Sequence, residues 1–222
     1  LKQLSERVQW ILPPAEAVAL KESEDLMDHL APETEVIFST WGMPRMDEAF
    51  LDALPNLKAV FYAAGSVRGF VTEESWRRGI RVFSAASANA VPVAEFTIAQ
   101  ILLCMKQVHR LKIRSHEEWR AVEPIKASMR GNYHSRIGLI SYGAIAKLVR
   151  RLLRQFEHQV WVYDPFLFQE EAEAEDIHLC GLDELFQKCQ VVSLHAPLLE
   201  ETRGLVRGHH LESMPENAAF IN

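Results

Sequence analysis

Cysteine is scarce in this 222-residue sequence: Cys104, Cys180 and Cys189 are odd in number and show no C-x-x-C spacing. That pattern excludes a disulfide scaffold and a cysteine-based zinc site, and it fits reduced thiols in a cytoplasmic protein. Positive charge is also short. A formal net charge of -6 leaves no basic excess to displace counterions from a phosphate backbone, so nucleic acid is not an expected partner. The most apolar stretch, Val91 to Val108, is interrupted by Glu95, Gln100 and Lys106. It falls short of the roughly 18 uninterrupted apolar residues of a membrane span, and no membrane helix is expected. There is no fixed-period repeat. A starting methionine is lacking too, and the polar opening at Leu1 leads us to expect that a leader segment precedes it.

What is present is ordinary globular usage, 48% hydrophobic and 24% charged, enough for a packed core. Short β-rich runs recur at Val8 to Leu12, Val36 to Thr40, Ala59 to Ala63 and Val82 to Ala85. Helical spacing between them, at Glu16 to Leu30 and at Asp47 to Leu54 with Asp47 as N-cap, predicts a parallel α/β unit. Val93 to Leu111 is apolar on nearly every face and is expected to be a buried helix. Arg110 to Tyr133, with Trp119 and Pro124, lacks strong periodicity and reads as an extended arm or connector.

A second series follows: strand Ile137 to Ile140, helix Ala144 to Phe156, strand Gln159 to Tyr163, helix Leu182 to Lys188, strand Val191 to His195, and a strand from Ala218 to Asn222. The acidic run Glu170 to Asp176 reads as a solvated helical face. His209 and His210 are adjacent on an expected helix. Their side chains should point in different directions, so no metal site is expected there.

Between the first strand and first helix of this series stands Ser141-Tyr142-Gly143-Ala144-Ile145-Ala146, a degraded form of G-x-G-x-x-G. In the full motif the first glycine permits a tight turn, the second lets backbone approach a pyrophosphate, and the third allows close helix–strand packing. Only Gly143 survives, and Ser141 must adopt whatever angles the turn demands. Asp164 ends the next strand 21 positions after Gly143, the spacing of a ribose-binding acid. A carboxylate there accepts from ribose hydroxyls and repels a 2′-phosphate, favouring NAD over NADP. A methyltransferase also pairs a small-residue loop with an acid on successive strands, so spacing leaves that reading open.

Leu182-Asp183-Glu184-Leu185-Phe186, Cys189-Gln190-Val191-Val192-Ser193-Leu194-His195-Ala196-Pro197 and Glu201-Thr202-Arg203-Gly204-Leu205 resemble the D-2-hydroxyacid dehydrogenases, a family that includes D-3-phosphoglycerate dehydrogenase. Gly79-Ile80-Arg81-Val82 leading to Asn89 and Val93-Ala94-Glu95, and the closing Met214-Pro215 to Ile221-Asn222, agree in order. The resemblance implies an α/β protein of two flavodoxin/Rossmann-like domains with parallel sheets and the active-site cleft between them. Residues 1–88 would be the substrate domain and 89–222 the dinucleotide-binding domain, with a dimerisation helix and arm at 93–133 and a homodimer as the assembly.

It further implies NAD as cofactor and hydride transfer to or from a 2-hydroxy or 2-keto acid. Gly143, Ala144 and Ile145 would lie at the pyrophosphate, Asp164 on the ribose, and Ala196 and Pro197 beside the adenine and its ribose, with His195 and Thr202 supporting that loop. Ala64, Gly65 and Ser66 match the loop that binds the substrate carboxylate. Val67 and Arg68 stand where the family has an acid and an amide, and Ala144 where an arginine is frequent. The family's catalytic arginine, glutamate and histidine would follow Asn222, so none is assigned within these residues and both ends are expected to be incomplete. The alternative within the resemblance is a non-catalytic, dinucleotide-sensing corepressor-like homologue.

Overall fold

A computed structural model of the chain describes residues 31–117, 122–129 and 133–222. The expected strand Val8 to Leu12 and helix Glu16 to Leu30 lie outside the described residues. The chain divides into two compact units, Leu1–Asn89 and Ala90–Asn222.

In the first unit, β1 (Val36–Ser39), β2 (Ala59–Tyr62) and β3 (Arg81–Ser84) form a parallel sheet in that order. Helices α1 (Glu48–Ala53) and α2 (Glu73–Arg77) make the crossovers. α1 starts where its cap dictates: Asp47 accepts from the Phe50 N–H at 3.0 Å, satisfying one of the donors a helix start leaves open. α2 has no bounds in the sequence reading. Its start is a reciprocal cap in which Thr72 accepts from the Ser75 N–H and Ser75 from the Thr72 N–H. Phe50, Leu51, Leu54, Val60 and Tyr62 pack as the core of this unit.

The second unit carries the parallel sheet β6-β5-β4-β7-β8, built from β4 (Arg136–Ile140), β5 (Gln159–Tyr163), β6 (His178–Leu179), β7 (Val191–Leu194) and β8 (Ala219–Ile221). Counted from its first strand the order is 3-2-1-4-5, which is that of a doubly wound dinucleotide-binding sheet. The two-residue β6 was not expected. The other strands begin and end within about one residue of the readings above, the usual scatter of such boundaries.

Helix α3 (Ala86–Met105) begins before the unit boundary, with Pro92 in its interior. By length and composition alone it is long and apolar enough to cross a membrane. One face packs on the sheet, with Ala94, Ile101 and Met105 buried among Ile137, Leu139 and Val160, whereas Val91, Val93 and Phe96 are exposed, so the expected burial of this helix is corrected to one face. The expected single helix Val93 to Leu111 is corrected by a break at Gln107, whose φ of 50 lies in the left-handed region. The stretch read as an extended arm is largely helical where described: α4 (Val108–Glu117) and α5 (Glu123–Ser128). Pro124 sits at the start of α5, where its missing N–H costs nothing.

Helix α6 (Ala144–Leu153) follows β4 and buries Ala146, Val149 and Leu153 on the α3 side of the sheet. The acidic run forms α7 (Gln169–Ala174) and the turn after it. On the opposite face α8 (Leu182–Lys188) packs Leu185 and Phe186 against Ile140 and Val192. A Cβ at Gly138 would lie 2.7 Å from Leu185 Cδ2 and 3.2 Å from Cys189 Sγ. That glycine is therefore required by close helix–strand approach. Helix α9 (Gly208–Glu212) completes the unit.

Candidate functional site

The sheet order reverses at β4, whose neighbours β5 and β7 lie on opposite sides of it. Such a reversal opens a crevice at the carboxyl ends of the strands, where α/β sheets bind ligands. The three carboxyl ends meet there through the backbone. The Ser141 N–H donates to Tyr163 O at 2.8 Å, and the His195 N–H donates to Ile140 O at 2.9 Å.

Asp164 is the ionisable centre of this crevice. Its Oδ2 accepts from the Tyr142 N–H at 2.7 Å and, at 3.4 Å, from the Ser141 hydroxyl. Its Oδ1 accepts from the Phe166 N–H at 2.7 Å. A carboxylate has about four lone-pair sites, so both oxygens retain capacity for further donors. Tyr142 and Phe166 act through their main chain and were not singled out from the sequence, because a backbone donor leaves no residue-type signal.

Ser141 has φ 72, in the left-handed region that the motif's first glycine normally occupies. The serine thus takes a turn shape that glycine adopts freely, at a cost of roughly 1–2 kcal/mol. Gly143 is the N-cap of α6, has no side-chain acceptor on the helix start, and is exposed with nothing within 4 Å of the place a Cβ would occupy. Ala144 is exposed and Ile145 half-buried, and they open a ten-residue helix whose first-turn amides carry partial positive charge. Open space over uncapped amides is what a pyrophosphate requires, and a carboxylate beside it is what a ribose diol requires. The residues present therefore fit a dinucleotide.

The loop after β7 runs from His195 through Ala196 and Pro197. Thr202 anchors it: its hydroxyl accepts from the Leu199 N–H at 2.8 Å and donates to Pro197 O at 2.5 Å. The His195 Nε2 is buried without a partner among the described residues, and burial pushes the imidazole down to about 4. It is neutral near pH 7.

In the first unit, Ala64 is fully buried, Gly65 half-buried and Ser66 exposed at the carboxyl end of β2. The Ser84 hydroxyl donates to Gly65 O at 2.6 Å, and a Cβ at Gly65 would stand 3.5 Å from Asn89 Nδ2. Ser66 accepts from the Arg68 N–H at 3.4 Å. The loop thus presents small residues and an amide side chain, while Arg68 itself is exposed.

One expectation is overturned. His209 and His210 do not diverge: their rings lie 4.0 Å apart, and their Nε2 atoms stand 3.5 and 3.1 Å from the same Oδ1 of Asp183. The expectation rested on the angular offset of neighbours within one helix. It left out the acceptor on α8, toward which both rings turn.

Residues 98–222 match the family model described as the D-isomer specific 2-hydroxyacid dehydrogenase, NAD binding domain. Among individual proteins, the chain is 25% identical over 179 residues to a D-3-phosphoglycerate dehydrogenase of Bacillus subtilis, covering 80% of this chain and 34% of that protein. It is 25% identical over 204 residues to a hydroxypyruvate reductase of Thermotoga maritima, covering 90% of this chain and 63% of that protein. The chain therefore spans from about a third to under two thirds of the length of these relatives. Among solved structures, an NAD-dependent formate dehydrogenase of Staphylococcus aureus in complex with NAD is similar with a TM-score of 0.69 at 26% identity, over 89% of this chain and 59% of that one. A D-isomer specific 2-hydroxyacid dehydrogenase of Lactobacillus delbrueckii shares the fold with a TM-score of 0.73 at 18% identity, over 90% of this chain and 60% of that one.

Proposed function

The chain belongs to the D-isomer specific 2-hydroxyacid dehydrogenase family, and from that premise we propose that its protein is an NAD-dependent oxidoreductase acting on a D-2-hydroxy acid or the matching 2-keto acid. The observation that carries this reading is the meeting of an uncapped helix start at Gly143 with the carboxylate of Asp164 through the Tyr142 N–H. Sugar hydroxyls and phosphates of one dinucleotide need those two features side by side.

When bound, NAD accepts or supplies the hydride at its nicotinamide ring. The chain's own residues bind and orient. The amides of Ala144 and Ile145 face the pyrophosphate, with Gly143 leaving room for it. Asp164 accepts from the adenosine ribose and repels a 2′-phosphate, which favours NAD over NADP. Ala196 and Pro197 flank the adenine and its ribose, on a loop held by Thr202 and begun by the neutral His195. Ala64, Gly65 and Ser66 hold the substrate carboxylate through backbone donors, so residues 1–88 act as the substrate domain and 89–222 as the dinucleotide domain. We assign the proton transfer to no residue of this chain. The same reading includes a cytoplasmic homodimer formed through α3, on which Val91, Val93 and Phe96 are exposed.

Titration with NADH, followed by quenching of tryptophan fluorescence, tests the reading, with S-adenosylmethionine calorimetry run in parallel. Saturable NADH binding is expected. Binding of S-adenosylmethionine without any of NADH would replace the dehydrogenase by a methyltransferase.

A further inference from the structure

We propose that Asp183, His209 and His210 form a binding site for a divalent transition-metal ion of the zinc class, at the starts of α8 and α9 and sharing no residue with the dinucleotide crevice. The three ligand atoms all lie within 4.8 Å of one another. Zinc held tetrahedrally at about 2.0–2.1 Å from its ligands sets neighbouring ligand atoms about 3.3 Å apart. The two separations that meet at Asp183 Oδ1 are 3.1 Å from His210 Nε2 and 3.5 Å from His209 Nε2. Both stand within a few tenths of an ångström of what the ion requires. Two imidazoles and a carboxylate suit zinc and its neighbours rather than magnesium or calcium, which take oxygen ligands.

The ligands are held from outside the cluster. His210 is buried and stacks on Phe186 at 5.1 Å and 29°. Asp183 is fixed in the first turn of α8, the helix that also carries Phe186. The side chains of Asp183 and His209 are 70% and 60% exposed, which leaves the remaining coordination positions to water. A plain hydrogen bond from His210 to Asp183 explains one imidazole. It does not explain why His209 lies against the first ring and turns to the same oxygen from 3.5 Å.

Binding has a structural consequence. His210 Nδ1 accepts from the Arg207 N–H at 2.9 Å, which keeps the ring proton on Nε2. A metal at Nε2 sends that proton to Nδ1, so the Arg207 amide loses its acceptor. The site is therefore weak, and occupancy is visible at Arg207.

The test uses the full chain and Zn2+ alone, with calorimetry and amide NMR spectra of the native protein and of D183N and H209A. Both substitutions fall on exposed side chains and spare the buried His210. One Zn2+ per chain is expected, weakened on the order of tenfold or more by either substitution, with the Arg207 amide shifting on saturation and the Gly143 amide unmoved. No Zn2+ binding by the native chain would overturn the proposal. So would binding left intact by both substitutions, which would place the ion elsewhere.

Discussion

The Tyr142 N–H donates to Oδ2 of Asp164 over 2.7 Å, which ties the turn after β4 to the end of β5. The carboxylate that we propose for the ribose is consequently also a brace of the loop after β4. Replacing it with alanine removes the acceptor of the Tyr142 and Phe166 amides, and each bond to a charged partner is worth about 1.5–3 kcal/mol. NADH affinity should fall on the order of tenfold or more. NADPH should lose less, because the repulsion of its 2′-phosphate goes with the carboxylate. Dissociation constants for both cofactors decide the matter, and equal losses would remove Asp164 from the ribose.

Ser141 offers a separate test of the same loop. A side chain at φ 72 costs roughly 1–2 kcal/mol that glycine does not bear. Glycine in turn costs about 0.5–1 kcal/mol of backbone entropy. The hydroxyl contact to Asp164 is long at 3.4 Å and adds little. Ser141→Gly is thus expected to be neutral or to stabilise by up to about 1 kcal/mol, whereas Ser141→Val, branched at Cβ, should destabilise by about 1–2 kcal/mol. Urea unfolding of the three proteins gives the order, and a valine variant as stable as the native chain would mean that the turn is not held left-handed.

Much of this was legible in the residues. Alternating β-rich and helical runs predict the parallel sheets, Asp47 marks the start of α1, and Gly143 and Asp164 stand at the ends of β4 and β5, which one hydrogen bond joins. Three things were not legible. β6 has only two residues, His178 and Leu179, too few for any period to register. The α4 segment from Val108 to Glu117 is too polar for an apolar stripe to show in it, so it read as a connector. The convergence of His209 and His210 depends on Asp183, 26 and 27 positions earlier and on another helix, and no local pattern encodes that. α2 differs from these: Thr72 is a favoured N-cap, but Ser75 stands where the sequence signature has glutamate or glutamine, so the reciprocal cap shows only in the structure.

Gly138 is the close-packing glycine of this unit. Adding one methyl group there sets it 2.7 Å from Leu185 Cδ2, a contact that real Cβ atoms avoid. Gly138→Ala should destabilise by about 1–3 kcal/mol through overpacking. Leu185→Ala should destabilise by about 2–5 kcal/mol through the cavity it leaves. The double variant should be more stable than the sum of the two losses implies, because the new methyl group occupies part of that cavity. Strict additivity in denaturant unfolding would show that α8 does not bear on β4 at this point.

His195 sets a pH dependence whose sign follows from its burial. Its imidazole ordinarily titrates near 6.5 and is pushed down to about 4 in the folded chain, with Nε2 buried and unpartnered among the described residues. Between those two values the unfolded chain binds a proton that the folded chain refuses. Stability is therefore fully present above about pH 6.5, is lost as pH falls toward 4, and levels off below that, by on the order of 3 kcal/mol for this residue. His158, also lowered by burial, acts in the same direction, so the native slope alone does not isolate His195. The difference between the native chain and His195→Gln does. Unfolding free energies measured from pH 4 to pH 7 should fall less steeply in the variant, and parallel curves would show that His195 takes up its proton as readily folded as unfolded.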